Sequence, residues 1–369
     1  MIYTAPNKEQ LPTISQVLTM VGEMTSQMPV RHRMPYDEVV EDDDVFLLNR
    51  TASGLFTLKP NITNQPCLYF GDNDYHRILQ PKWNTLKRED YLIENVLREE
   101  LELTMLSHPL YNLFLHGVPT RRQLVRIVNP FGNAMAYGFP SPMIPLTSSL
   151  DVAAFFATHR RDEETGRWTA IPERDSNGHV NVGVLYVLEL ALPFPMMLGL
   201  SCIGAQAFSR PGRQRLFGLN ITSGENFNEH RFVYGLQFRQ KPDEVAGLEA
   251  QFSGGALLTP DELIARKADD ILHTRTISEE AFELNCRNNP RDDRNENRRR
   301  IEQAGVQIVN RPLHGFTADE LAAEFYPTAL ERWNDLFGNV VAAHPGFDKL
   351  LDDLKAFPNT ADGHKFFRI

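Results

Sequence analysis

Three consecutive hydroxyl side chains, Thr147, Ser148 and Ser149, separate a short apolar pair, Ile144 and Leu146, from a hydrophobic run between Asp151 and His159. The order reads as strand, turn and helix. At such a junction Ser149 can cap the helix while Thr147 and Ser148 bond nearby backbone. The same groups can hold a ligand, because unpaired N–H groups at a helix start, joined by hydroxyls, bind anionic or polar groups well. Spacing alone leaves both readings open. Tyr137 lies just upstream, in a turn with Gly138 and Pro140. It either stacks on a ligand ring or fills the core beneath the hydroxyls.

A second group of chemically able residues lies in SRPGRQRLF, at 209–217. Pro211-Gly212 reads as a turn feeding a strand from Arg213 to Ile221. Alternation then predicts Arg213, Arg215 and Phe217 on one face and Gln214 and Leu216 on the other. Arg210 and Arg213 are either solvated or bound to an anion. Glu225, in SGENF, is the nearest downstream carboxylate, and it is either a loop charge or an acid at a site. Asp151 reads as a first-turn acid favoured by the helix dipole. His116 and His159 end helices and read as structural. There is no HExxH, no CxxC pair, no Walker loop, no GxGxxG and no GxSxG, so zinc, nucleotide-triphosphate and serine-hydrolase chemistries find no motif.

The segment 133–160 resembles the central signature of the FRG domain, a bacterial and phage-associated module. The family's pattern reads roughly Q-H-Y-G-x-P-T-R-L-L-D-W-T, followed by a helix ending F-F-A. Tyr137, Gly138, Pro140, Leu146, Thr147 and Phe155-Phe156-Ala157 match it. CLYFGDNDYH, at 67–76, sits where the family carries its naming motif, and IGAQAFSRPGRQRLFGL, at 203–219, resembles its downstream Arg-x-x-x-Gln segment. The resemblance covers about residues 65–220.

FRG domains are related to the ADP-ribosyltransferase fold. The resemblance therefore implies an α+β protein with a mixed-sheet, ADP-ribosyltransferase-like core, a helical C-terminal region, and NAD as substrate. It implies NAD contacts from Tyr137, Thr147, Ser148, Ser149, Arg210 and Arg213. Gln214 would hold the ribose hydroxyls, and Glu225 would stand in for the acidic residue that stabilises an oxocarbenium-like transition state. The chain departs from the family at Phe70, which occupies the place of the naming Arg. Arg77 is the nearest substitute for that diphosphate partner. Ala136, Met143 and Pro145-Leu146 replace the family's His, Arg and Asp-Trp. The implied activity is ADP-ribosyl transfer to a macromolecule or NAD hydrolysis, as a toxin or phage-defence effector. The other reading is a non-catalytic nucleotide- or protein-binding module that retains the fold.

Several elements must position these residues. Thr13-x-x-Gln16 reads as a capping box before a helix over 14–27. VFLLNR, GLFTLKP and PCLYF read as strands. Residues 89–106 read as a helix, and Thr120 as the cap of another, carrying Leu124, Ile127 and Val128. VNVGVLYVLEL, at 180–190, reads as a central strand buried on both faces. Arg231–Arg239 reads as a further strand. TPDELIARKADDIL and TADELAAEFYPTALERWNDLF read as helices. The expected organisation is an N-terminal helical segment at 1–45, an α/β domain at 46–255 and a helical region at 256–369.

The 369 residues carry a net charge of −10 and 42% apolar residues, a balance that suits a globular protein and disfavours indiscriminate attraction to nucleic acid or anionic membrane. Three widely spaced cysteines and an unremarkable N-terminus suggest a reducing, cytoplasmic setting. RNNPRDDRNENRRR, at 287–300, reads as a solvated, mobile linker, with nucleic acid or a partner's acidic face as the other reading.

Overall fold

The computed structural model describes residues 7–27, 66–108, 111, 115, 129–162, 165–190, 199–204, 207–311, 313–321 and 323, together with the backbone of short strands outside them. Its centre is a sheet of seven strands: β1 (Ile2–Tyr3), β2 (Cys67–Asp72), β3 (Met143–Thr147), β4 (Val182–Glu189), β5 (Leu200–Cys202), β6 (Leu216–Asn220) and β7 (Val233–Arg239). Their spatial order is β1-β7-β4-β2-β3-β6-β5. β1 runs parallel to β7, and the remaining pairs are antiparallel. The fold class is α+β.

β4 explains why helices cover both faces. Val184 to Leu188 are all fully buried, and alternation sends successive side chains to opposite sides. Val184, Tyr186 and Leu188 join one core and Leu185 and Val187 another. The second core is closed by two helices, α1 (Ile14–Ser26) through Ile14, Val17 and Val21, and α4 (Leu150–Thr158) through Ala153, Ala154 and Ala157. The first is closed by α2 (Arg88–Leu106) and α6 (Leu263–Thr274), among others. Between α2 and α4 in the chain comes α3 (Pro130–Ala136), and before α6 comes α5 (Ser209–Arg213). α7 (Glu279–Asn288) and α8 (Arg294–Gln303) follow, with Phe282 and Ile301 in the same core as Leu68 and Tyr186. Residues on both sides of position 255 thus share one core.

Local signals account for the ends. Gln16 Oε1 accepts from the Thr13 N–H at 2.9 Å, and Ser149 Oγ accepts from Val152 N at 3.4 Å, capping α4. Among the described residues no helix is long and apolar enough to cross a membrane.

Three expectations are corrected. Arg213 and Gln214 are not strand residues: α5 occupies 209–213, Arg215 turns the chain at φ 46°, and β6 begins at Leu216. Pro211 suits the first turn of a helix, and a distant carboxylate caps it, as described below. Leu124–Val125 is a short strand, with Val125 paired to Phe56 and Val118, rather than part of a helix. β-Branched Val125 favours that pairing. Thr120, Ile127, Val128 and His116 lie outside the described residues, as does most of 322–369. The Arg-rich stretch is no linker. Asp293 caps α8 through Glu296 N at 2.8 Å, and Arg294 and Arg298 pair with Glu279 of α7.

Candidate ligand cleft

A sheet is continuous only where neighbouring strands share a ladder, and β2 and β3 share one register pair, Tyr69 with Thr147. Beyond it the strands part. Phe70, Gly71 and Asp72 of β2 face Pro145, Leu146 and Thr147 of β3 across a cleft of about 520 Å³. Val152, Ala153 and Phe156 of α4 form one wall, and Asp269 and Leu272 of α6 another. Trp168 and Arg161 come from the hairpin of strands His159–Arg161 and Trp168–Ala170. Tyr137, Arg210 and Gln214 close one end.

The glycine of the first family-like motif has a steric reason. A Cβ on Gly71 would sit 1.8 Å from the Ala153 carbonyl oxygen and 2.9 Å from Ala157 N. α4 therefore lies directly on the backbone of β2, and this close approach sets Val152, Ala153 and Phe156 against the cleft.

Four of the nine candidate residues meet here: Tyr137, Thr147, Arg210 and Gln214. Each is held by bonds that also hold the fold. Thr147 donates its hydroxyl to the Gln214 carbonyl at 2.7 Å and accepts from Ser149 N at 3.1 Å. Gln214 donates its amide to the Leu258 carbonyl at 3.0 Å. Arg210 is buried, with its guanidinium carbon 4.8 Å from the Tyr137 ring centre. Its Nη1 donates to the Ala136 carbonyl at 3.3 Å, and its Nε has no hydrogen-bond partner.

The other five do not line the cleft. Ser149 is the helix cap, and the Ser148 N–H is bonded to the Arg215 carbonyl at 3.2 Å. Arg213 is exposed on α5. Arg77 and Glu225 come together elsewhere, on a loop pair organised by Asn226. The Asn226 amide donates to the Arg77 carbonyl at 3.2 Å, and the Glu225 carbonyl accepts from Gln80 at 2.9 Å.

Sequence reasoning missed Glu262, Asp72, Arg161 and Trp168. Glu262 is the hub behind the cleft. Its Oε1 accepts from Tyr137 Oη at 2.6 Å and Arg210 N at 3.1 Å, and its Oε2 accepts from Ser209 N at 2.8 Å and Ser209 Oγ at 2.7 Å. One carboxylate thus caps α5, fixes the tyrosine and sets the backbone of Arg210.

Asp72 is the carboxyl group on the β2 side of the cleft. Burial pushes its pKa up, against the smaller opposing effects of the Asp74 N–H, 3.2 Å from Oδ1, and of His76, 3.7 Å from Oδ2. The signal for Asp72 was present, since residues i and i+2 share a strand face and Phe70 belongs to the family-like motif. Trp168 donates to Thr259 Oγ1 at 3.0 Å and meets Phe155 and Phe156 edge-on.

Among the described residues no group of three or more His, Cys, Asp or Glu could hold a metal ion. No protein-family model, curated protein or solved structure matches the chain.

Proposed function

We propose that the cleft binds NAD, and that the chain is an FRG-type protein of ADP-ribosyltransferase-like fold. The observation carrying this reading is Arg210, a buried guanidinium stacked on Tyr137 with its Nε unbonded, at the end of a cleft of about 520 Å³. Small-molecule sites run from roughly 300 to 1,000 Å³. A buried donor without a partner is costly, and a diphosphate satisfies a guanidinium fork with paired, charge-assisted bonds. Phe70, Phe156 and Trp168 offer apolar faces for a heteroaromatic ring. The diphosphate role that the sequence divided among Arg77, Arg210 and Arg213 thereby falls to Arg210.

NAD, when bound, supplies an ADP-ribosyl group on a cleavable glycosidic bond. Asp72 replaces Glu225 as the carboxylate on hand. Ionised in a partly desolvated cleft, it stabilises positive charge developing at the ribose. Because burial raises its pKa, the active form accumulates as pH rises through its titration. Gln214, with its amide on Leu258, shapes the cleft end.

A second reading, a non-catalytic module that kept the fold, is favoured by one observation. Phe70 holds the place of the family's Arg and stacks on Tyr186, with centroids 5.7 Å apart. NAD titration with thermal melting separates these readings. At one hundred times the dissociation constant, NAD stabilises the protein by about 2.7 kcal/mol, and Arg210→Ala weakens binding at least tenfold. Asp72→Asn keeps binding and abolishes nicotinamide release. An unchanged melting temperature at millimolar NAD rejects the site. Binding without release by the unmutated protein selects the module.

A further inference from the structure

A second recess, of about 550 Å³, lies on the far side of α2, where α7 and α8 pack against it. Its floor carries an unusual set of amides. Asn285 is fully buried, yet neither its side-chain oxygen nor its nitrogen has a hydrogen-bond partner. Asn297, also buried, has an unpartnered Nδ2. Polar groups left unpaired inside a protein cost free energy, and both residues line the recess.

The walls add two further features. Tyr91, 43% exposed and set edge-on to Trp83 at 4.4 Å, presents an aromatic face. Arg291 and Arg300 stand at the rim, and among the described residues neither is ion-paired. The rim acids are largely engaged: Asp293 caps α8 and Glu296 pairs with Arg299 at 2.7 Å.

We propose that this recess is a ligand site for an adenine mononucleotide. An asparagine amide presents a donor and an acceptor side by side, the complement of the adenine N6–N7 edge, whereas guanine offers two acceptors there. Tyr91 supplies a stacking surface, and the rim guanidiniums suit one phosphate. Asp292 at the mouth disfavours a longer polyphosphate. The proposal is independent of the NAD reading of the sheet cleft.

Calorimetric titration of the full chain with AMP, GMP and ribose 5-phosphate tests it. AMP should bind with unit stoichiometry, and GMP and ribose 5-phosphate at least tenfold more weakly. Asn285→Leu, which removes the unpaired amide at similar volume, should weaken AMP at least tenfold without lowering the melting temperature. Should that variant fail to fold, Tyr91→Ala at the surface should weaken AMP at least fivefold. The site is overturned by no AMP binding at millimolar concentration. It is equally overturned by AMP binding that survives both substitutions, by ribose 5-phosphate binding as tightly as AMP, or by AMP binding lost in Arg210→Ala, which would assign it to the sheet cleft.

Discussion

Glu262 shows how much of a cleft can rest on one side chain that does not line it. Four donors converge on its carboxylate, from Tyr137, Ser209 and Arg210. Removing an acceptor from buried donors costs the desolvation of each group left behind, so Glu262→Ala should destabilise the protein by about 3 kcal/mol. It should also loosen Arg210, lowering NAD affinity. Glu262→Gln, which keeps two of the acceptor sites, should lose less of both. Urea unfolding beside NAD titration measures the pair of effects, and a Glu262→Ala protein of unchanged stability would refute the hub. Tyr137 and Arg210 were candidates on the sequence, and the structure brings both to the cleft. Glu262 was not: its partner Tyr137 lies 125 residues away, and no local pattern encodes a contact of that range.

At the scale of elements, the cleft is the consequence of two strands that meet at one pair and diverge. β4 was legible because a valine-rich, nearly all-apolar run has few other destinies, and α1 because its capping box and apolar stripe agree. α5 was misread because Pro-Gly signals a turn in isolation, whereas here the carboxylate of Glu262, just before α6, caps it. The hydroxyl turn left two readings, and the structure uses Ser149 and Thr147 for capping and bracing while Thr147 still faces the cleft.

The close approach of α4 to β2 gives the sharpest test at this scale. A methyl at position 71 meets backbone atoms at 1.8 and 2.9 Å, which cannot rotate away as a side chain would. Gly71→Ala should therefore cost about 3 kcal/mol, the upper part of the range for overpacking. Thermal melting reads this directly, and a variant melting within a degree of the parent would show that α4 is free to shift.

For the whole molecule, acid response follows from His108, buried edge-on between Phe208 and Phe316. Burial pushes its pKa down to about 3. The unfolded chain takes up a proton at this residue near pH 6.5 and the folded protein does not until about pH 3. The contribution of His108 is therefore complete above pH 6.5 and falls by about 1.4 kcal/mol per pH unit below it. Asp72, with its raised pKa, acts in the opposite sense, so the comparison is made against His108→Leu. Between pH 7 and pH 5 the parent should lose about 2 kcal/mol more than the variant. Parallel curves in urea would exclude a neutral buried imidazole.

The same scale explains what composition left dark. Net charge and apolar content specify a globular protein, but not that the chain after residue 255 completes the cleft. Leu258 receives Gln214, Thr259 receives Trp168, Glu262 holds Tyr137, and Asp269 and Leu272 form a wall. The cleft is for that reason not portable. A segment cut at the apparent end of the α/β region would carry every family-like motif into a new host and leave behind the groups that give those motifs their shape.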